Sequence, residues 1–144
     1  MQILKIKTEK RKLGDLGEAA ARRYLWWRGY RIHEKNYAVD ETGEIDIIAS
    51  RGDTLAFVEV KARSLEAASP MEPRPALAVT PEKQQKILST SKIYVAFNPE
   101  VKGTRKMRFD IIEVLFKGGK VKKINHLKGA FDRGSAYLPP WKRK

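Results

Sequence analysis

Cysteine is absent from this 144-residue sequence, and histidine occurs only twice. The lack of cysteine excludes a disulfide framework and a thiolate zinc site. His33 and His126 lie far apart in the sequence, so each is interpreted as a partly exposed polar residue rather than as a metal ligand. No run approaches the roughly 20 consecutive apolar residues of a membrane-spanning helix, and the first residues do not have the pattern of a secretory signal. These absences predict a cytoplasmic location.

Acidic residues are scarce relative to basic ones. The sequence has 17 aspartates and glutamates against 30 lysines and arginines, which gives a net charge of +13. The basic residues crowd the segments 5–12 and 102–128. Such an excess predicts a polyanionic partner, with nucleic acid favoured over an anionic membrane. A surface that only maintains solubility is the alternative interpretation.

A β-hairpin is predicted near the middle of the chain. Two short runs rich in β-branched and aromatic residues, 43–50 and 55–61, flank the turn-forming residues Arg51-Gly52-Asp53. Away from the charged positions both faces of each run are apolar, which is typical of strands covered on both sides. A turn of four residues, 51–54, would pair Ser50 with Leu55.

This register brings charged residues together on a mostly buried sheet. Asp46 falls opposite Glu59, and Lys61 shares the face of Glu59 because the two are two residues apart. Two like charges about 4 Å apart repel by roughly 4 kcal/mol at an effective dielectric constant of about 20. A fold keeps such a pair when a cation lies between the carboxylates or when one carboxylate holds a proton. The pattern therefore indicates a divalent-metal site with a nearby lysine, or else a structural salt bridge to Lys61.

An acidic residue, a short hairpin and then Glu-x-Lys form part of a longer pattern. The residues that carry it are Gly14, Gly17, Glu18, Gly29, Tyr30, Asn36, Tyr37, Gly43–Ala49, Phe57–Arg63, Lys83, Arg108–Asp110, Ala130 and Phe131. This pattern resembles the YraN-like family of endonuclease-related bacterial proteins, within the PD-(D/E)xK nuclease superfamily. It is similar, more loosely, to archaeal Holliday-junction resolvases. One departure from the superfamily pattern is that Ile45, not proline, precedes Asp46.

The resemblance implies a divalent-metal-dependent nuclease that hydrolyses DNA phosphodiester bonds, with branched or junction DNA in repair or recombination as a candidate substrate. Asp46 and Glu59, with the backbone carbonyl of Val60, would hold Mg²⁺ or Mn²⁺. Lys61 would orient or deprotonate the attacking water, and Glu18 would assist through a water or a second metal. Nucleic-acid contacts are predicted for a set of basic and polar residues: Lys12, Arg63, Lys83, Gln84 and Arg108.

The order of predicted elements is α-β-β-β-α-β-β. They are a helix from Leu13 or Asp15 to Arg28, strands over 30–39, 43–50 and 55–61, a helix over 82–96, and strands over 107–116 and 120–126. The hairpins require antiparallel pairs, whereas the connection through the second helix permits a parallel pair. With the resemblance, this order predicts a single α/β domain with a restriction-endonuclease-like mixed β-sheet flanked by helices.

Both helices carry signals for their ends and faces. In the first helix Leu16, Ala20, Tyr24 and Trp27 recur at helical spacing and predict the buried stripe, and Gly29 ends the helix. Residues 15–18 read as a capping-box variant, and Gly14 and Gly17 would let a phosphate approach the helix start. In the second helix Thr80 is the predicted cap and Pro81 the first residue.

Three segments lie outside or interrupt the predicted nuclease-like domain, 13–131. Residues 1–12 are predicted to be a basic N-terminal arm, and residues 132–144 a C-terminal tail. The segment 64–81 contains four prolines and predicts a mobile loop beside the site. Ordering of this loop on DNA and plain disorder both remain open.

Two non-enzymatic functions are the alternatives. One is a nucleic-acid-binding module that kept the nuclease fold without cutting, and the other is a small basic ribosome-associated protein. The clustered carboxylates argue against both, because a pure binder of polyanions gains nothing from them. The expected partner is nucleic acid, with DNA favoured over RNA, and no membrane. A homodimer stays open, since resolvases that cut two strands act as dimers.

Overall fold

The structure is a computed structural model that describes residues 2–40, 43–66, 79–101 and 106–131. These residues form α1 (Gln2–Trp27), β1 (Arg31–Ala38), β2 (Glu44–Arg51), β3 (Thr54–Ser64), α2 (Pro81–Phe97), a short 3-10 helix (Pro99–Val101), β4 (Lys106–Lys117) and β5 (Lys120–Phe131). The predicted order of helices and strands is confirmed. Neither described helix is long and apolar enough to cross a membrane.

The described strands form one mixed sheet in the order β1-β2-β3-β4-β5. The β3–β4 pair is parallel and the other neighbours are antiparallel. The parallel pair is the one joined through α2, because only a long connection can return the chain to the same end of the sheet. The structure confirms the predicted single α/β domain and is consistent with the restriction-endonuclease-like fold.

Each face of the sheet is covered by one helix. On one face α1 contributes Ala20, Ala21 and Leu25, which pack with residues such as Val58 and Ile112. On the other face the core includes Ile87, Leu88 and Tyr94 of α2 with Ile48, Phe57 and Ile111. Coverage on both faces explains why the central strands read as nearly continuous apolar runs.

The predicted start of α1 at Leu13 or Asp15 is wrong, because the helix begins at Gln2. Residues 2–13 contain neither proline nor glycine, and most of them favour helix, so nothing in that segment stops the helix. Residues 15–18 therefore lie inside the helix, and their interpretation as a capping box is wrong. For the same reason Gly14 and Gly17 are not at a helix start where a phosphate could bind.

Gly17 instead allows α1 to approach the sheet closely. A Cβ atom placed on Gly17 would lie 2.7 Å from the Cβ of Ala62 on β3, which is shorter than van der Waals contact allows. The helix therefore packs on the sheet through small residues, Gly17, Ala20 and Ala21.

This close approach turns the buried face of α1 away from the predicted stripe. Ala20 is buried and Tyr24 is half-buried, but Leu16 is 54% exposed and Trp27 is 79% exposed. The prediction that Leu16 and Trp27 are buried is wrong. The largest apolar residues do not fit where helix and sheet are closest, so Leu25 fills the interior further along the helix.

Local predictions elsewhere hold. The hairpin has the predicted register, with Ser50 opposite Leu55, and its strands extend one pair further towards a turn at Gly52–Asp53. Thr80 caps α2 by accepting a hydrogen bond from the Lys83 amide (3.2 Å), and Pro81 is the first helical residue. Residues 67–78 of the predicted loop and the predicted tail, 132–144, lie outside the described residues.

Candidate active site

The site forms where β2 separates from β3. The paired residues run from Arg51 and Thr54 at the turn to Ile47 and Val58. One step further along β2, a carboxylate oxygen of Asp46 accepts a hydrogen bond from the backbone amide of Val60 (2.8 Å). The Asp46 side chain therefore satisfies a backbone donor of β3 and lies next to Glu59, as the hairpin register predicted.

Three carboxylates from two elements converge here. Oxygen atoms of Glu18 on α1 and of Glu44 and Asp46 on β2 all lie within 4.8 Å of one another. Glu44 and Asp46 share a face of β2 because they are two residues apart. Glu18 and Asp46 were predicted to belong to the site, whereas Glu44 was missed, although its spacing from Asp46 was a signal that could have found it.

Asn36 of β1 holds two of these carboxylates. With its amide nitrogen turned towards them, Asn36 donates hydrogen bonds to Glu18 Oε1 (2.8 Å) and to Glu44 Oε1 (3.0 Å). Its backbone adopts a positive φ of 51°, a conformation that asparagine tolerates better than most residues. Asn36 belonged to the quoted pattern, but its contact with the carboxylates depends on how β1 pairs with β2.

Glu59 is paired with lysines. Its side chain is 6% exposed, and its Oε1 lies 2.6 Å from Lys83 Nζ and 3.9 Å from Lys61 Nζ. Lys83 reaches Glu59 from the first turn of α2, so the residue predicted to contact nucleic acid is also the closest cationic partner of Glu59. The structure thus places Glu18, Asp46, Glu59 and Lys61 in one region, but the carboxylate group within 4.8 Å contains Glu44 rather than Glu59.

The acidic side chains are poorly stabilised in their charged form. Burial raises the pKa of Asp46 from its ordinary value of 3.8 to about 8, and the negative charge of Glu59 adds to this effect. Burial also raises the pKa of Glu18, against the effect of its hydrogen bond with Asp46. Both residues therefore retain protons more readily than ordinary carboxylic acids do.

The pKa values of Lys61 and Lys83 are shifted in opposite directions. Burial lowers the pKa of Lys61, and the positive charge of Lys83 lowers it further. Burial opposes the charged form of Lys83 too, but the charge of Glu59 and the hydrogen bond to it raise the pKa of Lys83 overall. The lowered pKa suits Lys61 to the role of proton acceptor, and the raised pKa suits Lys83 to the role of permanent cation.

The remaining residues predicted to contact nucleic acid are spread out. Lys12 is exposed on α1, and Arg63 on β3 has its Nε 4.0 Å from a carboxylate oxygen of Glu113. Gln84 is only 2% exposed and donates a hydrogen bond to the Val79 carbonyl (3.0 Å). In this structure the Gln84 side chain is therefore buried and bonded to the backbone next to the α2 cap, rather than presented to solvent.

Arg108 belongs to a buried polar network. It donates to both oxygens of Asp110 and to the hydroxyl of Tyr30 (2.6 Å). Asp110 is fully buried and also bonds with His126 Nε2 (2.8 Å) and the Gly129 amide (3.0 Å). Burial opposes ionisation of Asp110, but the hydrogen bonds from His126 and Arg108 lower its pKa overall. The side chain of His126 is 4% exposed, which makes it more buried than expected.

The acidic group fits a hard divalent cation. Three carboxylates offer the oxygen ligands that Mg²⁺, Mn²⁺ and Ca²⁺ prefer, at spacings that one ion can bridge. The mixed sheet with a helix on each face makes this a single-domain α/β protein, consistent with the restriction-endonuclease-like class.

Comparison with known proteins identifies the family. A family model described as "Uncharacterised protein family UPF0102" matches residues 17–114. The chain therefore belongs to UPF0102, the YraN family, a member of a nuclease-like superfamily. The matched segment contains Glu18, Glu44, Asp46, Glu59 and Lys83.

Curated relatives are similar over most of their length. A UPF0102 protein of Alkaliphilus oremlandii (strain OhILAs) is 43% identical over 121 residues, which cover 84% of this chain and 98% of that protein. A UPF0102 protein of Acetivibrio thermocellus is 42% identical over 130 residues, 87% of this chain and 95% of that protein. One of Geotalea uraniireducens (strain Rf4) is 38% identical over 126 residues, 88% of this chain and 94% of that protein.

Proposed function

We propose that this protein is a divalent-metal-dependent nuclease that hydrolyses phosphodiester bonds of DNA. The observation that carries the proposal is the position of Asp46, which belongs to the three-carboxylate group and also lies beside Glu59 and its lysine partners. A cation site beside a proton acceptor and a permanent cation is what hydrolysis of an anionic phosphodiester requires. The net charge of +13 suits a protein that holds a polyanion.

The carboxylates have the role of holding the metal. Glu18, Glu44 and Asp46 would bind Mg²⁺ or Mn²⁺, and Asn36 would keep two of them in place. When bound, the ion would polarise a phosphoryl oxygen and make a coordinated water more acidic. Asp46 belongs to this ligand set and also to the set predicted from the sequence, Asp46 with Glu59 and the Val60 carbonyl.

The lysines have the role of managing charge. Lys61 would accept a proton from the attacking water, because its lowered pKa makes the neutral amine more accessible. Lys83 would remain charged and offset the negative charge that develops on the phosphoryl group. Glu59 holds Lys83 in position through the 2.6 Å contact.

A cleavage screen tests this proposal. Junction, flap, linear duplex and single-stranded DNA are incubated with Mg²⁺ or Mn²⁺ and with wild type, Asp46→Asn or Lys61→Ala. We expect cleavage by wild type and none by Asp46→Asn or Lys61→Ala. Asp53→Asn, in the exposed hairpin turn, is the matched control and should keep full activity. Equal cleavage by wild type and Asp46→Asn would contradict the proposal.

Two further results are informative. Glu44→Gln and Glu59→Gln distinguish the ligand sets, because loss of metal affinity in the first variant alone favours the Glu18–Glu44–Asp46 set. Binding of DNA without cleavage of any substrate would favour the non-catalytic binding module. The close Lys83–Glu59 ion pair is the observation that supports this second candidate, since it already satisfies one of the predicted metal ligands.

A further inference from the structure

Two tryptophans at the end of α1 are largely exposed. Trp26 is 64% exposed and Trp27 is 79% exposed. Their rings contact each other edge to face, with centroids 5.4 Å apart and planes at 83°. Adjacent exposed aromatic rings form a contiguous apolar patch, which is a feature of binding surfaces.

The surroundings of the tryptophan pair are strongly basic. No acidic residue occurs in the sequence between Glu18 and Glu34, whereas arginine occurs at positions 22, 23, 28 and 31. Arg51 also reaches this end of the sheet, where its guanidinium donates to the Arg28 carbonyl (3.0 Å). The acidic residues next in sequence to these arginines are Glu34, three positions after Arg31, and Asp53, two positions after Arg51 in the exposed hairpin turn.

Two of the arginines are held in place by aromatic rings. The Arg28 guanidinium lies 5.0 Å from the ring centroid of Tyr24, and the Arg51 guanidinium lies 4.7 Å from that of Tyr30. Such cation–π contacts limit side-chain freedom, so less entropy is lost when the arginines bind a ligand. The cations are therefore partly preorganised.

A shallow depression adjoins Trp26. It has a volume of about 520 Å³ and is lined by Trp26, Gly29, Tyr30, Arg31 and Ile32. Aromatic and aliphatic walls with one guanidinium suit a flat heterocycle linked to a phosphate. The depression and the tryptophan pair beside it therefore suit the same kind of ligand, a flat heterocycle linked to a phosphate.

The surface lies on the same sheet edge as the candidate active site. β1 is an edge strand, with Asn36 near the carboxylates and Arg31 at the end near Trp26. About five residue steps separate Arg31 from Asn36, which is roughly 16 Å at about 3.3 Å per residue. That distance corresponds to about five nucleotides of a duplex strand at about 3.4 Å each.

We propose that Trp26 and Trp27, with Arg28, Arg31 and Arg51, form a platform on which unpaired nucleotides of the DNA substrate stack. The indole rings contact the bases, and the guanidinium groups neutralise the phosphates between them. The proposal rests on the proposed function, and it narrows the substrate to DNA with an unpaired strand close to the scissile phosphate. A symmetric contact with a second copy is disfavoured, because it would bring the same arginines face to face.

Binding without catalysis tests the platform. A labelled oligothymidylate of about 15 nucleotides and a duplex of equal length are titrated in chelator at one salt concentration. The variants are Trp26→Ala, Trp27→Ala and Trp27→Phe, with Phe97→Ala as the matched control because Phe97 is 77% exposed on the other helix.

The stacking proposal predicts selective losses. Each Trp→Ala change should weaken binding of the oligothymidylate by roughly 5- to 100-fold, with a much smaller loss on the duplex. Trp27→Phe should recover most of the affinity, and Phe97→Ala should change neither. In a Trp141→Phe background, the oligothymidylate should quench the fluorescence of Trp26 and Trp27.

Other outcomes would overturn it. Unchanged oligothymidylate affinity, or equal losses on both DNAs, would remove the platform. A wild-type dimer that Trp27→Ala converts to a monomer, with unchanged DNA affinity, would make the surface a contact between copies. Binding is measured in chelator, so these results do not depend on cleavage. Failure of the nuclease proposal would instead be seen in the cleavage screen, as no cleavage of any substrate.

Discussion

Replacing Asp46 by asparagine should stabilise the metal-free protein. The substitution removes the carboxylate charge but keeps an amide oxygen that can accept the hydrogen bond from the Val60 amide. The new amide nitrogen in this variant can also donate a hydrogen bond to Glu18. In wild type, Asp46 can donate that hydrogen bond only when it is protonated. The change therefore removes the free-energy cost of burying the Asp46 carboxylate or protonating it, while preserving the local contacts.

The size of the effect follows from the pKa shift. The pKa of Asp46 rises from 3.8 to about 8 in the folded protein, because burial and the charge of Glu59 disfavour the carboxylate. A group whose folded-state pKa is raised in this way costs nothing below the unfolded value, and its cost grows as pH rises towards the folded value. At pH 7 this cost is on the order of 4 kcal/mol, at 1.36 kcal/mol per pKa unit.

Thermal unfolding in chelator across a pH series measures this difference. For a chain of this length the expected rise in Tm for Asp46→Asn at pH 7 is about 10 °C. The advantage should shrink as pH falls and vanish near pH 4. A saturating divalent cation should raise the Tm of wild type, by the equivalent of about 2.7 kcal/mol at one hundred times Kd, and should leave Asp46→Asn nearly unchanged.

Glu59→Gln is the matched control with the opposite sign. It also neutralises a buried carboxylate, but it leaves Lys83 and Lys61 without their anionic partner. Loss of a charge-assisted hydrogen bond should lower stability by about 1.5–3 kcal/mol. The electrostatic reasoning fails if Asp46→Asn melts at or below wild type in chelator at pH 7, or if its advantage does not vary with pH.

Three further predictions concern other residues. Gly17→Ala should lower the free energy of unfolding, because the added methyl group meets the Cβ of Ala62 at 2.7 Å, and overpacking of this kind costs about 1–3 kcal/mol in chemical denaturation; Gly14→Ala, where the added Cβ meets nothing within 4 Å, is the matched control. Glu44→Gln should weaken Mn²⁺ binding in calorimetry without unfolding the protein, since Glu44 is exposed and contributes one carboxylate of three; unchanged affinity would exclude it as a ligand. Asp110 has a lowered pKa, so its contribution to stability should be present at pH values above its ordinary pKa of 3.8 and be lost as pH falls below that value. Asp110→Asn should therefore reduce the loss of stability at acid pH. An unchanged loss in this variant would show that other groups cause it.

Features set by neighbouring residues could be predicted from the sequence. The hairpin register follows from the period of two and the turn at Gly52, so Asp46 and Glu59 were correctly placed together. The cap of α2 follows from Thr80 and Pro81, whose chemistry acts within one turn. The long connection through α2 permits a parallel pair, and the structure shows that this pair is β3 with β4.

The buried face of α1 could not be predicted in this way. Helical spacing favoured the large residues Leu16 and Trp27, but the distance between helix and sheet is set by Gly17 against Ala62. Which face of a helix is buried depends on the shape of the surface opposite, and that surface comes from a strand more than forty residues later. The exposure of the tryptophans is a consequence of this packing.

The sequence by itself determined the hairpin pairs, the helix cap and the acidic hairpin, because each depends on residues close together in the chain. Only the tertiary structure brought Glu18 and Asn36 to Glu44, and Lys83 to Glu59. These contacts join α1, β1, β2, β3 and α2, so their geometry depends on how the two helices pack on the sheet. Burial at that junction raises the pKa of Asp46, and burial is a property of the folded chain that no local pattern encodes.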